Sequence, residues 1–235
     1  MQTVAFSQPF TKAHAEFENG KVLNINKPEG WTSFDVVKKI RSTIRVKKVG
    51  HAGTLDPFAT GVLLVCTGRA TKQVEDLMQL EKEYVAELEL GKTTDSFDRT
   101  GKILSETEVG QLTETEIQDV CAQFEGETLQ TPPMYSALKI NGQRLYELAR
   151  KGITVERRPR KINIYRLDVL NMEIPSVTVR VVCSRGTYVR ALAHDIGERL
   201  GCGAYLKALV RSRIGSYRLA DAMTIEEFTT YYRQR

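Results

Sequence analysis

The sequence predicts an α+β fold in which helices cover one mixed, mostly antiparallel central sheet. Two patterns lead to this prediction. In segments such as "KEYVAELELG" apolar residues alternate with polar ones, as they do in strands that bury one face. In others, such as "TSFDVVKKIRSTIRVKK", apolar residues recur every three or four positions, as in amphipathic helices. Neither a repeat nor a low-complexity linker interrupts the series, so the elements belong to one packed architecture.

In the first half of the chain, proline and glycine residues mark the turns between the predicted helices and strands. "GKVLNINKPEG" reads as a short strand that ends in a turn at Pro28 and Gly30. The following helix has Thr32 or Ser33 as its N-cap. "GVLLVCTG" is predicted as a buried strand bounded by glycines. The elements predicted next are a helix in "ATKQVEDLMQLE", the alternating strand, a polar loop and short strand in "GKTTDSFDRTGKIL", and a helix in "TETEIQDVCAQFEG".

The second half begins with two prolines in "QTPPMYSALK" and continues with a short helix in "GQRLYELARKG". Alternation then predicts strands in "INIYRLDVL" and "VTVRVVCS". "RGTYVRALAHDIGERLG" is predicted as the end of a strand, a turn and a helix, and "AYLKALVRSRIGSYRL" leads into a last strand. The order of these elements completes the α+β prediction.

Composition indicates a globular protein of the reducing cytoplasm. Of the 235 residues, 41% are hydrophobic and 27% charged. No secretory signal and no run of 18 apolar residues is found, so we expect no membrane span. The four cysteines lack CxxC spacing and nearby histidine pairs, and we therefore expect neither a zinc site nor a disulfide framework.

The charge is distributed very unevenly along the chain. Residues 1–130 carry 15 Lys and Arg against 20 Asp and Glu, a net charge of −5. Residues 131–218 carry 17 against 6, a net charge of +11, and most of these basic residues are arginines. Because arginine pairs with phosphate through two parallel hydrogen bonds, this block favours a nucleic-acid partner over a merely solvated basic face.

A single acid, Asp56, lies in "GHAGTLDPFATGVLLVCTG" at the start of the predicted buried strand. Asp-Pro is a common turn dipeptide, and a turn residue is the first interpretation. Gly50, Gly53 and Gly61 surround the acid, however, and would let a ligand approach the backbone closely. The chain also lacks a Walker loop, a GxSxG motif and an HExxH motif, so no other catalytic set competes. Both interpretations stay open on the residues alone.

Groups that could assist Asp56 occur farther along the chain. Arg185, Tyr188 and Arg190 lie where a strand is predicted to join a helix, and an arginine near Asp56 would keep it ionised. Taken singly, Arg190 is better interpreted as a surface arginine on a helix, and Tyr84 as an ordinary strand aromatic. His51 and His194 have no other potential metal ligands near them in the sequence, so neither is predicted to bind a metal.

Five blocks in order give the chain a close resemblance to the bacterial tRNA pseudouridine synthase B (TruB) family. They are "NINKPEGWTSFDVV", "KVGHAGTLDPFATGVLLVCTGRATK", "EKEYVAELELGKTTDSFDRTG", "QTPPMYSALKINGQRLYELARKG" and "VVCSRGTYVRALAHDIGERLGCGAYLKALVRSRIG". They extend over residues 21–218. One departure is Ser212, which stands where the family usually has threonine.

The resemblance implies the pseudouridine synthase fold and an isomerase that converts uridine 55 in the T-loop of tRNA to pseudouridine. Asp56 matches the catalytic aspartate, Tyr84 the tyrosine that stacks on the target base, and Arg190 the arginine that pairs with the aspartate. The resemblance further implies that substrate is bound by His51, Thr54, Asp98, Tyr188 and Leu209, and that Lys27 belongs to a turn that supports the site. No cofactor and no metal are implied.

The resemblance also implies a domain organisation. Residues 1–20 form an N-terminal extension, 21–218 the catalytic domain with a basic thumb segment at about 131–160, and 219–235 a short tail without the PUA module of many members. We expect a monomer that binds the tRNA T-stem-loop and needs no protein partner. The alternatives are an RNA-binding or RNA-folding module without catalysis, a guide-RNA-dependent synthase and, more remotely, a nucleoside hydrolase.

Overall fold

The computed structural model describes residues 9–140 and 142–233. Its helices and strands confirm the α+β prediction. The α-helices are α1 (Pro9–Asn19), α2 (Ser33–Ile44), α3 (Val74–Gln79), α4 (Glu114–Ala122), α5 (Leu145–Ala149), α6 (Val189–Arg199) and α7 (Ile225–Arg233). The strands are β1 (Val22–Lys27), β2 (Val49–Ala52), β3 (Thr60–Thr67), β4 (Lys82–Leu90), β5 (Lys92–Thr94), β6 (Ile103–Glu106), β7 (Gly126–Gln130), β8 (Lys139–Ile140), β9 (Gln143–Arg144), β10 (Arg160–Glu173), β11 (Ser176–Cys183), β12 (Ala204–Ile214), β13 (Tyr217–Arg218) and β14 (Met223–Thr224).

The chain divides into two compact units, residues 1–80 with 210–235, and residues 81–209. In the first unit β3, which is buried from Gly61 onward, is antiparallel to β1 and β2 and parallel to β12 at Val210 and Arg211. The short β14 adds to β1 in parallel orientation. A mixed sheet was predicted, and parallel and antiparallel pairs both occur.

Helix α2 covers this sheet and begins where its sequence predicts. Thr32 and Asp35 form a reciprocal capping box that satisfies two backbone N–H groups of the first turn. Val36, Ile40 and Ile44 lie on the buried face. The helix ends at Arg45, whose φ of 56° lies in the left-handed region, so the basic residues that follow lie outside it.

Both ends of the described chain contribute to the core of the first unit. Phe17 of α1 is 1% exposed and Phe228 of α7 is 0% exposed, and their rings meet edge to face. They pack in one cluster with Ile25, Ile40 and Leu63. The predicted domain division at residues 20 and 218 stays a prediction.

In the second unit, β4, β11, β10 and β7 follow one another in an antiparallel sheet. β4 alternates strictly between buried and half-buried residues, as its sequence predicts. Within the basic segment at 131–160, β8 and β9 form a hairpin that leads into α5. The segment predicted as a polar loop contains a short strand, β5. Its three residues form a strand because they pair with β6, which their own sequence does not indicate.

Two further observations bear on the sequence-based expectations. No helix in the described ranges is long and apolar enough to cross a membrane. All four cysteines (66, 121, 183 and 202) are buried and none forms a disulfide. Burial raises the pKa of the thiols of Cys66 and Cys121 to about 11.

Close packing of β3 against β12 requires glycine at position 61. Gly61 lies opposite Arg211 and has a φ of 105°, and a Cβ on it would overlap the backbone of Arg211. We therefore expect Gly61→Ala to lower the free energy of unfolding by about 3 kcal/mol. Urea unfolding measures this loss. Gly50→Ala is the matched control, because a Cβ there meets nothing within 4 Å; equal losses from the two changes would contradict the expectation.

Candidate functional site

Asp56 lies in the loop between β2 and β3, and its side chain is half-buried. Leu55 and Phe58, 3% and 7% exposed, anchor the loop on both sides. The backbone N–H of Ala59 donates to the carbonyl of Asp56 at 3.1 Å, so Asp56 does begin a turn. The hydroxyl of Ser33 accepts from the N–H of Leu55 at 2.9 Å. These hydrogen bonds and buried neighbours fix the backbone around the acid.

Arg211 holds the backbone of this loop through hydrogen bonds. This residue was not predicted from the sequence as part of the site. Its side chain is among the largest that are fully buried, with 1% of the residue exposed. The guanidinium donates to three carbonyls, those of Val62 at 2.7 Å, Gly53 at 3.2 Å and Thr54 at 3.4 Å. Its fork of N–H groups suits several acceptors at once. One feature of the sequence could have indicated it. Arg211 lies two residues after Leu209 in the same strand, so alternation places both side chains on the buried face.

Lys27 holds the other end of the loop. It is completely buried, and its Nζ donates to the carbonyls of Trp31 at 2.6 Å, Pro28 at 2.8 Å and Pro57 at 3.2 Å. Burial lowers the pKa of Lys27 to about 8, the negative charge of Asp56 opposes this shift, and the positive charge of Arg211 adds to it. Two buried cations therefore flank the segment that carries Asp56.

The lowered pKa of Lys27 predicts a pH-dependent stability. The folded pKa of about 8 lies below the ordinary 10.5. Between these pH values the unfolded chain binds the proton more tightly, so stability rises with pH as the cost of burying the charge disappears. Relative to Lys27→Met, we expect the wild type to gain about 2 kcal/mol of unfolding free energy between pH 7 and pH 10.

Denaturant unfolding at several pH values checks this expectation. Lys38→Met, which removes an exposed lysine from the same unit, is the control. A constant difference between the wild type and Lys27→Met across this range would contradict the lowered pKa of Lys27.

His51 and Thr54 lie next to the same loop. Burial, followed by the charge of Arg211, lowers the pKa of the half-buried His51 imidazole. Thr54 has an exposed side chain, and only its carbonyl is engaged by Arg211. The first unit therefore brings together Asp56, Lys27, His51 and Thr54.

In the second unit, Arg190 and Asp98 form a buried ion pair. Arg190 is 4% and Asp98 2% exposed, and Nη1 of the arginine lies 3.3 Å from Oδ2 of the aspartate. Arg190 also donates to the carbonyl of Tyr135 at 2.6 Å. The other carboxylate oxygen of Asp98 accepts from the hydroxyls of Ser96 and Thr100 at 2.8 and 2.6 Å. Removing either charge would leave the other one buried.

The remaining predicted residues of the second unit lie on its sheet and at the start of α6. Tyr84 is 8% exposed in β4, opposite Val181. Leu209 of β12 is 7% exposed. Tyr188 precedes α6, and its backbone exchanges two hydrogen bonds with the amide of Gln130, at 2.8 and 3.1 Å. Its ring lies 5.9 Å from the guanidinium of Arg190.

Within the described part of the chain, no group of three or more His, Cys, Asp or Glu side chains is arranged to hold a metal ion.

Comparison with protein families gives two matches that together extend from residue 41 to the C-terminus. Residues 41–189 match the model described as "TruB family pseudouridylate synthase (N terminal domain)". Residues 190–235 match the "tRNA pseudouridylate synthase B C-terminal domain". The chain belongs to the TruB family.

Members of the TruB family from several bacteria are similar over most of their length. The tRNA pseudouridine synthase B of Clostridium kluyveri is 52% identical over 205 residues, which are 87% of this chain and 71% of the relative. That of Phocaeicola vulgatus is 46% identical over 225 residues, 93% of this chain and 96% of the relative.

Solved structures give a consistent picture of the TruB fold. A chain in a Cbf5-Nop10-Gar1 complex superimposes with a TM-score of 0.74 at 33% identity, and one in the archaeal box H/ACA sRNP Nop10-Cbf5 complex with 0.70 at 30%. Each match covers 99% of the present chain and 60% of the other. This TruB chain thus spans about three fifths of the length of those chains.

Proposed function

We propose that this chain isomerises uridine 55 in the T-loop of tRNA to pseudouridine. Its relatives are named tRNA pseudouridine synthase B. The observation that carries the proposal is Asp56, a half-buried carboxylate on a loop whose carbonyls are fixed by Lys27 and Arg211. A carboxylate aimed by a rigid backbone is what a reaction with one essential acid requires.

The reaction rearranges one nucleotide and consumes nothing. The bond between N1 and C1′ breaks, the uracil rotates, and C5 bonds to C1′ while its hydrogen is lost and N1 gains one. Asp56 either attacks C1′ or removes the 2′ proton to give a glycal. Because the product is an isomer of the substrate, no oxidant, reductant or hydrolytic water enters the balance, and we propose that no cofactor or metal is needed.

The other predicted residues have roles that their surroundings support. Tyr84 stacks on the flipped base, and Leu209 provides an apolar wall that retains the uracil after cleavage. Arg190 pairs with Asp56, and Asp98 positions Arg190 through the buried ion pair at 3.3 Å. His51, Thr54 and Tyr188 contact the RNA, and Lys27 supports the turn next to Asp56.

We propose that the chain works in the cytoplasm, as a monomer and on tRNA alone. The net charge of +11 over residues 131–218 supports extensive phosphate contacts, so binding should weaken steeply as salt rises. The main rival is a guide-RNA-dependent synthase, favoured by the likeness to Cbf5 chains in complexes with Nop10 and Gar1. A non-catalytic RNA-binding module is the second rival.

One experiment separates these functions. The purified chain is incubated with a T-arm hairpin and with full tRNA, without guide RNA, partner protein or cofactor, and pseudouridine is mapped by chemical modification and sequencing. We expect product at position 55 in both RNAs and none in a hairpin with cytidine at that position. If product is absent under these conditions and appears once a guide RNA is added, the first rival is established. Binding without product would establish the second rival, and release of free uracil would establish a hydrolase.

A further inference from the structure

A cavity of about 430 Å³ lies beside the start of α2 in the first unit and has no part in the proposed chemistry. It is lined by Gly30, Trp31, Asp35, Lys38, Lys39 and Ser42. We call it the Trp31 cavity. Its lining combines the side chain of a half-buried tryptophan with two lysines, and so offers both an aromatic group and positive charge.

The segment that contributes Lys38 and Lys39 to the Trp31 cavity is strongly basic. Residues 38–48 hold six lysines and arginines and no acid, although residues 1–130 together carry a net charge of −5. Neither the Lys38 nor the Lys39 ammonium is in direct contact with a carboxylate in the ranges that the structure describes. Hydrogen bonds from Thr32 and, to a smaller extent, the charge of Lys38 lower the pKa of Asp35. The one acid of the lining, Asp35, accepts hydrogen bonds from the N–H and hydroxyl of Thr32, at 2.9 and 2.6 Å. The cavity therefore suits an anion.

The wall of the cavity is connected directly to the loop of Asp56. The N–H of Gly30 donates to the carbonyl of Pro57 at 2.8 Å, and the carbonyl of Trp31 accepts from Nζ of the buried Lys27. Pro57 is the residue after Asp56. A polymer with one nucleotide at Asp56 therefore has neighbouring nucleotides within reach of the Trp31 cavity.

From this arrangement we infer that the Trp31 cavity binds the ribose-phosphate backbone of the same RNA whose uridine reaches Asp56. Lys38 and Lys39 contact phosphates, and Trp31 packs against an adjacent ribose or base. The inference rests on the proposed function for the identity of the RNA. An RNA strand fits better than an acidic protein segment, because an open basic cavity with an aromatic wall is typical of nucleic-acid binding.

The salt dependence of binding tests the two lysines. Lys38→Gln together with Lys39→Gln should lower the slope of log K against log salt concentration by about 1.5 for two lost phosphate contacts, and weaken hairpin binding about tenfold at 0.1 M salt. The single-turnover rate at saturating RNA should not change. The control pair is Lys72→Gln with Lys102→Gln, two exposed lysines that lie outside both the cavity lining and residues 131–218. An unchanged slope, or an equal change in the control pair, would overturn the inference.

Trp31 supplies an independent measurement, because it is the only tryptophan among 235 residues. We expect its emission to change on titration of Asp56→Asn protein with the T-arm hairpin, in proportion to the RNA bound in a filter assay. Constant emission at saturation would contradict occupancy of the cavity.

Conversion of uridine is assayed separately. If pseudouridine forms while the salt slope is the same in the lysine variant and the Trp31 emission is constant, only the cavity is wrongly assigned. If no pseudouridine forms but the salt slope and the emission both change, only the proposed activity fails.

Discussion

Asp56→Asn should eliminate pseudouridine formation, lowering the single-turnover rate at least about 10³-fold, while hairpin affinity stays within about threefold of the wild type. An amide can neither attack C1′ nor accept the 2′ proton. The fold should persist, because Leu55, Phe58 and the hydrogen bonds of Ser33 hold the loop through groups other than the Asp56 side chain. Rapid-quench kinetics and filter binding measure the two quantities.

Glu29→Gln is the matched control for Asp56→Asn. It removes a carboxylate from the exposed turn beside the same loop, and we expect the rate to stay within about twofold. A secondary effect of Asp56→Asn should also be detectable. The charge of Asp56 raises the pKa of Lys27, so its loss should lower that pKa further below about 8. A rate in Asp56→Asn close to that of the wild type would remove Asp56 from the mechanism.

Arg211→Lys should reduce the rate about 10²-fold with little effect on RNA affinity, which would make Arg211 a positioning residue. A lysine keeps the charge, but its compact ammonium cannot reproduce the fork that reaches the carbonyls of Gly53, Thr54 and Val62. The loop that carries Asp56 should then lose its fixed geometry. Single-turnover kinetics at saturating RNA separate this effect from weaker binding.

Arg211→Met distinguishes the charge of Arg211 from its geometry. Because that charge lowers the pKa of His51, the imidazole pKa should rise in Arg211→Met and stay unchanged in Arg211→Lys, as measured by NMR titration. Arg213→Lys, two residues along the same strand, serves as control; Arg213 donates to the carbonyl of Gly215. A wild-type rate in Arg211→Lys, or equal losses in the control, would exclude the positioning role.

Arg211 shows where prediction from the sequence reached its limit. Local patterns correctly predicted α2, whose capping box and apolar face lie within a few residues of one another, and the strict alternation of β4. Arg211 and Gly53 are far apart in sequence and meet because β12 pairs with β3, which no local pattern encodes. Similarly, β2 is ordered by its pairing with β3 rather than by its own four residues.

The site residues divide in the same way. Asp56, Tyr84 and Arg190 each had an ordinary structural interpretation, and only the resemblance to a family favoured the functional one. The buried ion pair of Arg190 with Asp98 required coordinates, since its two members are separated by 92 positions. Their roles toward substrate, including the pairing of Arg190 with Asp56, remain predictions for the experiments above.

The burial of all four cysteines has a practical consequence for such experiments. Thiolates, not thiols, react with maleimides, and burial keeps the thiols of Cys66 and Cys121 protonated at neutral pH. A thiol introduced by Phe34→Cys, at a residue 61% exposed on α2, would therefore be the preferred target of a dye in the otherwise native chain. Fluorescence from that position could follow RNA arrival and departure one molecule at a time.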